Sequence, residues 1–129
     1  GAAAPCDYRT QKVAANKIAK TGKGLTLKLV EPPDIVATLG TERKPGQWVV
    51  AFALETEDPR FRALVKLEKK KCDLVVVNGP LAIDSLDNQV EIFDRRGRSV
   101  GTFAGSKEQV AQEILNVIDQ RLIQARPPA

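Results

Sequence analysis

The sequence predicts an α/β sandwich, a mostly parallel sheet carrying helices and closed by a C-terminal hairpin and helix. Three observations predict it. Two apolar runs, Gln47 to Leu54 and Asp73 to Asn78, have the length and continuity of buried strands. A segment of helical period lies between them, so strand, helix and strand form a βαβ unit. Val90, Ile92 and Phe93 then face Val100 and Phe103 across the turn-rich Asp94 to Ser99, as in a hairpin, before an amphipathic helix. At 129 residues with 43% hydrophobic content, the chain can bury one core but hardly two. One domain, or a large piece of one, is expected.

Taken in order, Leu25, Leu27 and Leu29 alternate with Thr26 and Lys28, the period of a half-buried strand. Pro32 and Pro33 precede Asp34, Ile35, Val36 and Leu39, and proline in a first turn with Gly40 at the close predicts a short helix. The run Gln47 to Leu54 reads as a strand covered on both faces, ending at Glu55 and Thr56. Thr56 or Asp58 caps the next helix, with Pro59 near its first turn and Phe61, Leu64 and Val65 as its apolar positions. Lys69, Lys70 and Lys71 lead into the second buried strand, and a loop runs from Gly79 and Pro80 to Asn88. Ser106 and Gln109 form a capping-box pattern ahead of Val110, Ile114, Val117, Ile118 and Leu122. The tail from Arg126 to Ala129 stops that helix and is expected to fray.

Composition excludes several chemistries. With no histidine and only Cys6 and Cys72, the usual zinc spacings and any histidine-based triad are ruled out. Both cysteines read as packing residues in a reducing compartment. The formal charge of +4 is modest and the basic residues are interleaved with sixteen acids, which favours a local anion site over a nucleic-acid surface. No stretch approaches the roughly 18 apolar residues of a membrane span, and no charged-then-apolar leader is present, so a cytoplasmic location with no membrane contact is expected. The absence of any methionine makes Gly1 read as a boundary and the chain as part of a domain.

Asp7 and Lys17 stand ten residues apart near the start, a pair that a nucleotide site would use well. Open α/β sheets bind their ligands at the carboxyl ends of the strands. Five ordered blocks say more: AAPCDYR with Lys17, then PPDIVATLG, VVAFALETED with a lysine-bearing helix, KKKCDLVVVN, and DNQVEIFDRRG before the last helix. In this order they resemble the phosphopantothenate-cysteine ligase family, commonly the C-terminal domain of a bifunctional flavoprotein of coenzyme A biosynthesis. The resemblance covers almost the whole chain, but the N-terminal half of the family domain has no counterpart in it.

The resemblance implies a Rossmann-like three-layer fold and a reaction. Family members join 4'-phosphopantothenate to cysteine with CTP, through an acyl-cytidylate that the cysteine amine then attacks. The charge on the departing pyrophosphate has to be neutralised by cations or Mg2+. Lys17, Lys66 and Lys70 match the family's nucleotide-binding lysines, and Asp7 matches its nucleotide-contacting aspartate. Ala3, the turn Pro33, Asp34, Ile35 and Val36, and the aromatic Phe52 complete the implied CTP contacts. No catalytic residue and no metal ligand is assigned. FMN belongs to a separate decarboxylase domain where one is present. The family also implies a homodimer in which Lys12 to Leu29 reaches a partner's active site.

Each residue has a plainer reading. A polar residue after a strand, such as Asp7, usually turns the chain, and Lys66 and Lys70, four apart, fit a solvated helical face. Phe52 within an apolar strand reads as core, and Asp34 suits a helix dipole. The chain also departs from the family. Pro5 and Cys6 replace small aliphatic residues, and Asn78 is followed by Gly79 and Pro80, with Ile83, Asp84, Ser85 and Leu86 in the next loop. The resemblance implies that the first change alters the local backbone path and that a divergent loop alters the pantetheine end of the pocket, with the nucleotide end largely intact. The alternatives are a nucleotide-binding module without ligation and a small basic nucleic-acid binder. The last lacks stacking positions, having one tryptophan and one tyrosine.

Overall fold

The computed structural model describes residues 5–55, 57–79 and 88–125. Ala3, Thr56, the altered loop after Gly79 and the tail from Arg126 lie outside the described residues. The chain divides into two compact units, Ala3–Asp34 and Ile35–Ala129.

In the first unit, strands β1 (Arg9–Thr10) and β2 (Leu29–Val30) pair antiparallel. The Gln11 N–H extends the ladder to the Lys28 carbonyl at 2.9 Å. The expected strand Leu25 to Leu29 is thus only a two-residue strand at its end. Its alternation is real, but Leu25, Leu27 and Leu29 are 68%, 57% and 52% exposed. A period-2 pattern organises a strand when one face is buried, and here that face is bare.

The second unit runs α1 (Ile35–Glu42), β3 (Val50–Leu54), α2 (Pro59–Lys70), β4 (Leu74–Asn78), β5 (Asn88–Asp94), β6 (Ser99–Gly105) and α3 (Lys107–Ile118). The sheet order is β3-β4-β5-β6. It is mixed. β3 and β4 pair in parallel, whereas β4 with β5 and β5 with β6 are antiparallel. The expected mostly parallel sheet is corrected in this respect: the hairpin supplies two of the four strands and joins the parallel pair through β5.

Alternation along the strands builds two cores. Val50, Leu74, Val76, Val90 and Ile92 meet Val110, Ile114 and Val117 of α3 on one face. Ala51, Ala53, Val75, Val77 and Phe93 meet Ala63 and Leu67 of α2 on the other, with Val36 of α1 against them. The result is the expected three-layer arrangement.

Several elements differ from expectation. β3 is not covered on both faces, since Phe52 and Leu54 are 43% and 51% exposed. Gly40 lies inside α1 and is buried, rather than closing it. A Cβ there would stand 2.0 Å from the Lys70 carbonyl oxygen, so glycine serves the close approach of α1 to the end of α2. The buried positions of α2 are Ala63 and Leu67, while Phe61, Leu64 and Val65 stay at least 37% exposed. Asp58 is its cap, accepting from the Phe61 N–H. At α3 the capping box forms as expected, with Ser106 Oγ accepting from Gln109 N–H and Gln109 Oε1 from Ser106 N–H. A π-helical turn, Asp119–Ile123, replaces its last α-helical turn. Cys72 is buried, but Cys6 is exposed and packs no core.

Candidate functional site

β3 and β4 end together, Leu54 opposite Asn78, and their carboxyl ends are the place where an open α/β sheet takes a ligand. The Glu55 N–H donates to the Asn78 carbonyl at 3.3 Å, which fixes the first residue beyond β3. From there the Glu55 carboxylate reaches Lys66 Nζ of α2 at 2.6 Å. Helical side chains lean toward the amino end of their helix, and α2 begins just after β3, so Lys66 leans back to the sheet's carboxyl end. Glu55 is the more enclosed partner, its side chain 13% exposed against 33% for Lys66. Lys66 is therefore the more accessible side chain of the pair.

Lys70 lies one helical turn further from that end. Its own carbonyl faces Gly40. The structure therefore places Lys66 at the carboxyl end of β3 and sets Lys70 back from it. Phe52 lies on the other face. It follows Val50 on the α3 side and, with Leu39, Trp48, Leu115 and Ile118, lines an apolar groove of about 560 Å³. Its exposure of 43% removes the plain reading of Phe52 as core. A ligand touching both Phe52 and Lys66 would have to cross the sheet's end.

Ile35 opens α1 with its side chain 61% exposed, and Val36 packs against the α2-side core. In the other unit Asp7, Lys17 and Pro33 are exposed and Asp34 is half-buried. Exposure suits a ligand contact and equally a solvated surface. Ala3 lies outside the described residues.

A second cavity, about 630 Å³, opens at the opposite, amino end of the parallel strands beside Arg43, Lys71, Cys72, Arg95 and Arg96. Two of its arginines serve the fold. Asp73 Oδ1 and Oδ2 take Arg95 and Arg43 at 2.8 and 2.5 Å, and Oδ2 also accepts the Val49 N–H at 2.8 Å. Burial pushes the Cys72 thiol up, against the pull of Lys70, so it is a poor nucleophile. Among the described residues no group of three or more histidine, cysteine, aspartate or glutamate side chains is placed to hold a metal. Among the described residues no helix is long and apolar enough to cross a membrane.

Sequence reasoning passed over Glu55. The available signal was its place: an acid directly after a buried strand, facing a helix that carries a lysine.

Comparison with known proteins places these features in a family. Residues 1–122 match the model described as the DNA/pantothenate metabolism flavoprotein C-terminal domain. Coenzyme A biosynthesis bifunctional protein CoaBC of Haemophilus influenzae is 32% identical over 124 residues, covering 94% of this chain and 31% of that protein. The CoaBC protein of Bacillus subtilis is 37% identical over 120 residues, covering 90% and 29%. The chain thus spans about a third of these relatives' length. A crystal structure of the C-terminal domain of CoaBC superposes with a TM-score of 0.67 at 28% identity, covering 93% of this chain and 52% of that one. A Cab2 mutant solved with phosphopantothenate-cysteine has a TM-score of 0.58 at 15% identity and shares the fold alone.

Proposed function

The chain belongs to the DNA/pantothenate metabolism flavoprotein C-terminal domain family, and from that premise we propose that it carries most of the nucleotide contacts of a CTP-dependent phosphopantothenate-cysteine ligase in coenzyme A biosynthesis. The observation that carries this reading is Lys66, the more accessible side chain of its pair with Glu55 at the carboxyl end of β3.

A free carboxylate is a poor electrophile. Transfer to the α-phosphorus of CTP gives phosphopantothenate a leaving group, and pyrophosphate departs. The cysteine amine then attacks the acyl carbon and CMP leaves, forming the amide. Lysines at the triphosphate supply point charges where negative charge collects on the departing pyrophosphate. Lys66 takes that role in the second unit, and Lys17, in the first, supplies it to the active site of a partner in the homodimer. Asp7 and the Pro33 to Val36 turn contact the nucleotide, and Phe52 lies beside it. Lys70, set back by a turn, has the weakest support.

Among the described residues no group of three or more histidine, cysteine, aspartate or glutamate side chains is placed to hold Mg2+. Magnesium is commonly held by one or two carboxylates together with substrate phosphates, so in this reading it enters with the triphosphate. FMN belongs to a separate decarboxylase domain where one is present. The protein works in the cytoplasm as a homodimer, with the exposed apolar side chains of Val13, Ile18, Leu25 and Leu27 in the interface. Because the span covers 52% of the CoaBC C-terminal domain, it binds nucleotide without ligating on its own.

The test is calorimetric titration of the full-length polypeptide with CTP, wild type against Lys17→Ala. Loss of one charge-assisted contact, about 1.5 to 3 kcal/mol, weakens CTP binding about ten- to a hundredfold. Unchanged affinity would remove Lys17 from the site. Tight, salt-sensitive binding of DNA or RNA in its place would favour a nucleic-acid binder.

A further inference from the structure

We infer that Glu55 is a positioning residue for the nucleotide triphosphate: it holds the Lys66 ammonium in place at the carboxyl end of β3. This rests on the CTP reading given above, and adds a residue to that site.

Three observations carry the role. Glu55 is anchored by its own backbone, whose N–H is bonded to the Asn78 carbonyl where β3 and β4 end together. Its carboxylate stands 2.6 Å from Lys66 Nζ, a charge-assisted contact across the β3 to α2 connection. The pair is also unequal, the Glu55 side chain being 13% exposed and the Lys66 side chain 33% exposed. Lys66 is thus the partner more accessible to an arriving phosphate.

Two effects of Glu55 on an anionic ligand oppose each other. Its negative charge repels phosphate, but the paired ammonium offsets it. Its hold on Lys66 favours binding, because a free lysine side chain has several rotamers to lose and a tethered one has lost them beforehand. An ammonium has three donors, and the contact with Glu55 uses one of them. The more enclosed Glu55 side chain and the more accessible Lys66 side chain make the second effect the larger. A bridge that only fastened α2 to β3 would require no such inequality.

The experiment is a double-mutant cycle on the full-length polypeptide, with CTP affinity read by calorimetry and thermal stability measured on the same samples. In Glu55→Ala, CTP binding falls about tenfold, the scale of one charge-assisted contact. Glu55→Gln, which keeps length and an acceptor oxygen, recovers part of it. In a Lys66→Ala background, Glu55→Ala costs nothing further, because the residue acts only through the lysine. Wild-type or tighter affinity in Glu55→Ala overturns the inference, showing that the carboxylate merely competes for Lys66. Additive losses overturn it as well, by giving Glu55 a role apart from Lys66. A fall in stability without any change in affinity shows a fastening bridge alone. If the wild-type protein binds no CTP, the proposed function itself fails, which the wild-type titration reveals before any variant is compared.

Discussion

Gly40 is buried where α1 lies against the carboxyl end of α2. Alanine usually favours a helix interior over glycine by about 1 kcal/mol. At this site the added Cβ would lie 2.0 Å from a backbone oxygen of Lys70, which cannot swing aside as a side chain would. Overpacking of that kind costs roughly 1 to 3 kcal/mol, so Gly40→Ala is expected to destabilise despite its propensity gain. A lower urea midpoint at unchanged slope would show it, and a raised midpoint would mean that α1 and α2 part easily. The cysteines test the residue scale in another way. Cys6 is exposed while Cys72 is 1% exposed with its thiol pushed up by burial. One thiol should react quickly with a disulfide reagent under native conditions, and the second only on unfolding. Sequence reasoning assigned both to packing, because a small apolar side chain carries no mark of which unit will enclose it.

At the scale of elements, the β5–β6 hairpin depends on Asp94. Burial opposes its ionisation, but the Arg98 N–H and guanidinium and the Arg96 N–H outweigh that and hold the carboxyl below its ordinary value. A depressed folded-state value means stability that is present above the unfolded-state value and is lost as pH falls through the folded one. The acid limb of the unfolding curve, below about pH 4, should therefore flatten in Asp94→Asn. A limb identical to wild type would assign acid sensitivity to other carboxylates. This hairpin was legible in the sequence because its turn chemistry is local. So were the caps at Asp58 and Ser106, each a side chain bonded three residues along. The buried stripe of α2 was less so. Phe61, Leu64 and Val65 outweigh Ala63 in any hydrophobic count, yet the small Ala63 is the one that lets the helix lie close to the sheet, at 0% exposure. The open face of β3 was likewise hidden, since an unbroken apolar run does not reveal what covers it.

For the whole molecule, the candidate site was partly legible. The order of motifs marked Lys66, and the fold puts that lysine at the strand ends; it could not mark Glu55, whose role comes from a contact across the β3 to α2 connection. Asp7 and Lys17 belong to a unit with little core of its own, where Val13 is 87% exposed and Ile18 59%. Such apolar exposure favours burial in a two-fold interface. Light scattering of the full-length polypeptide should give a dimer, and a monomer at micromolar concentration would contradict this. The central claim is activation of a carboxylate by CTP. It is tested most directly by pyrophosphate release from CTP on addition of 4'-phosphopantothenate to a polypeptide in which the N-terminal half of the family domain precedes this chain, before any cysteine is supplied. The account predicts phosphopantothenate-dependent release of pyrophosphate with CTP, then CMP and the amide product once cysteine is added. No release from CTP with phosphopantothenate present, by a folded protein, would contradict it.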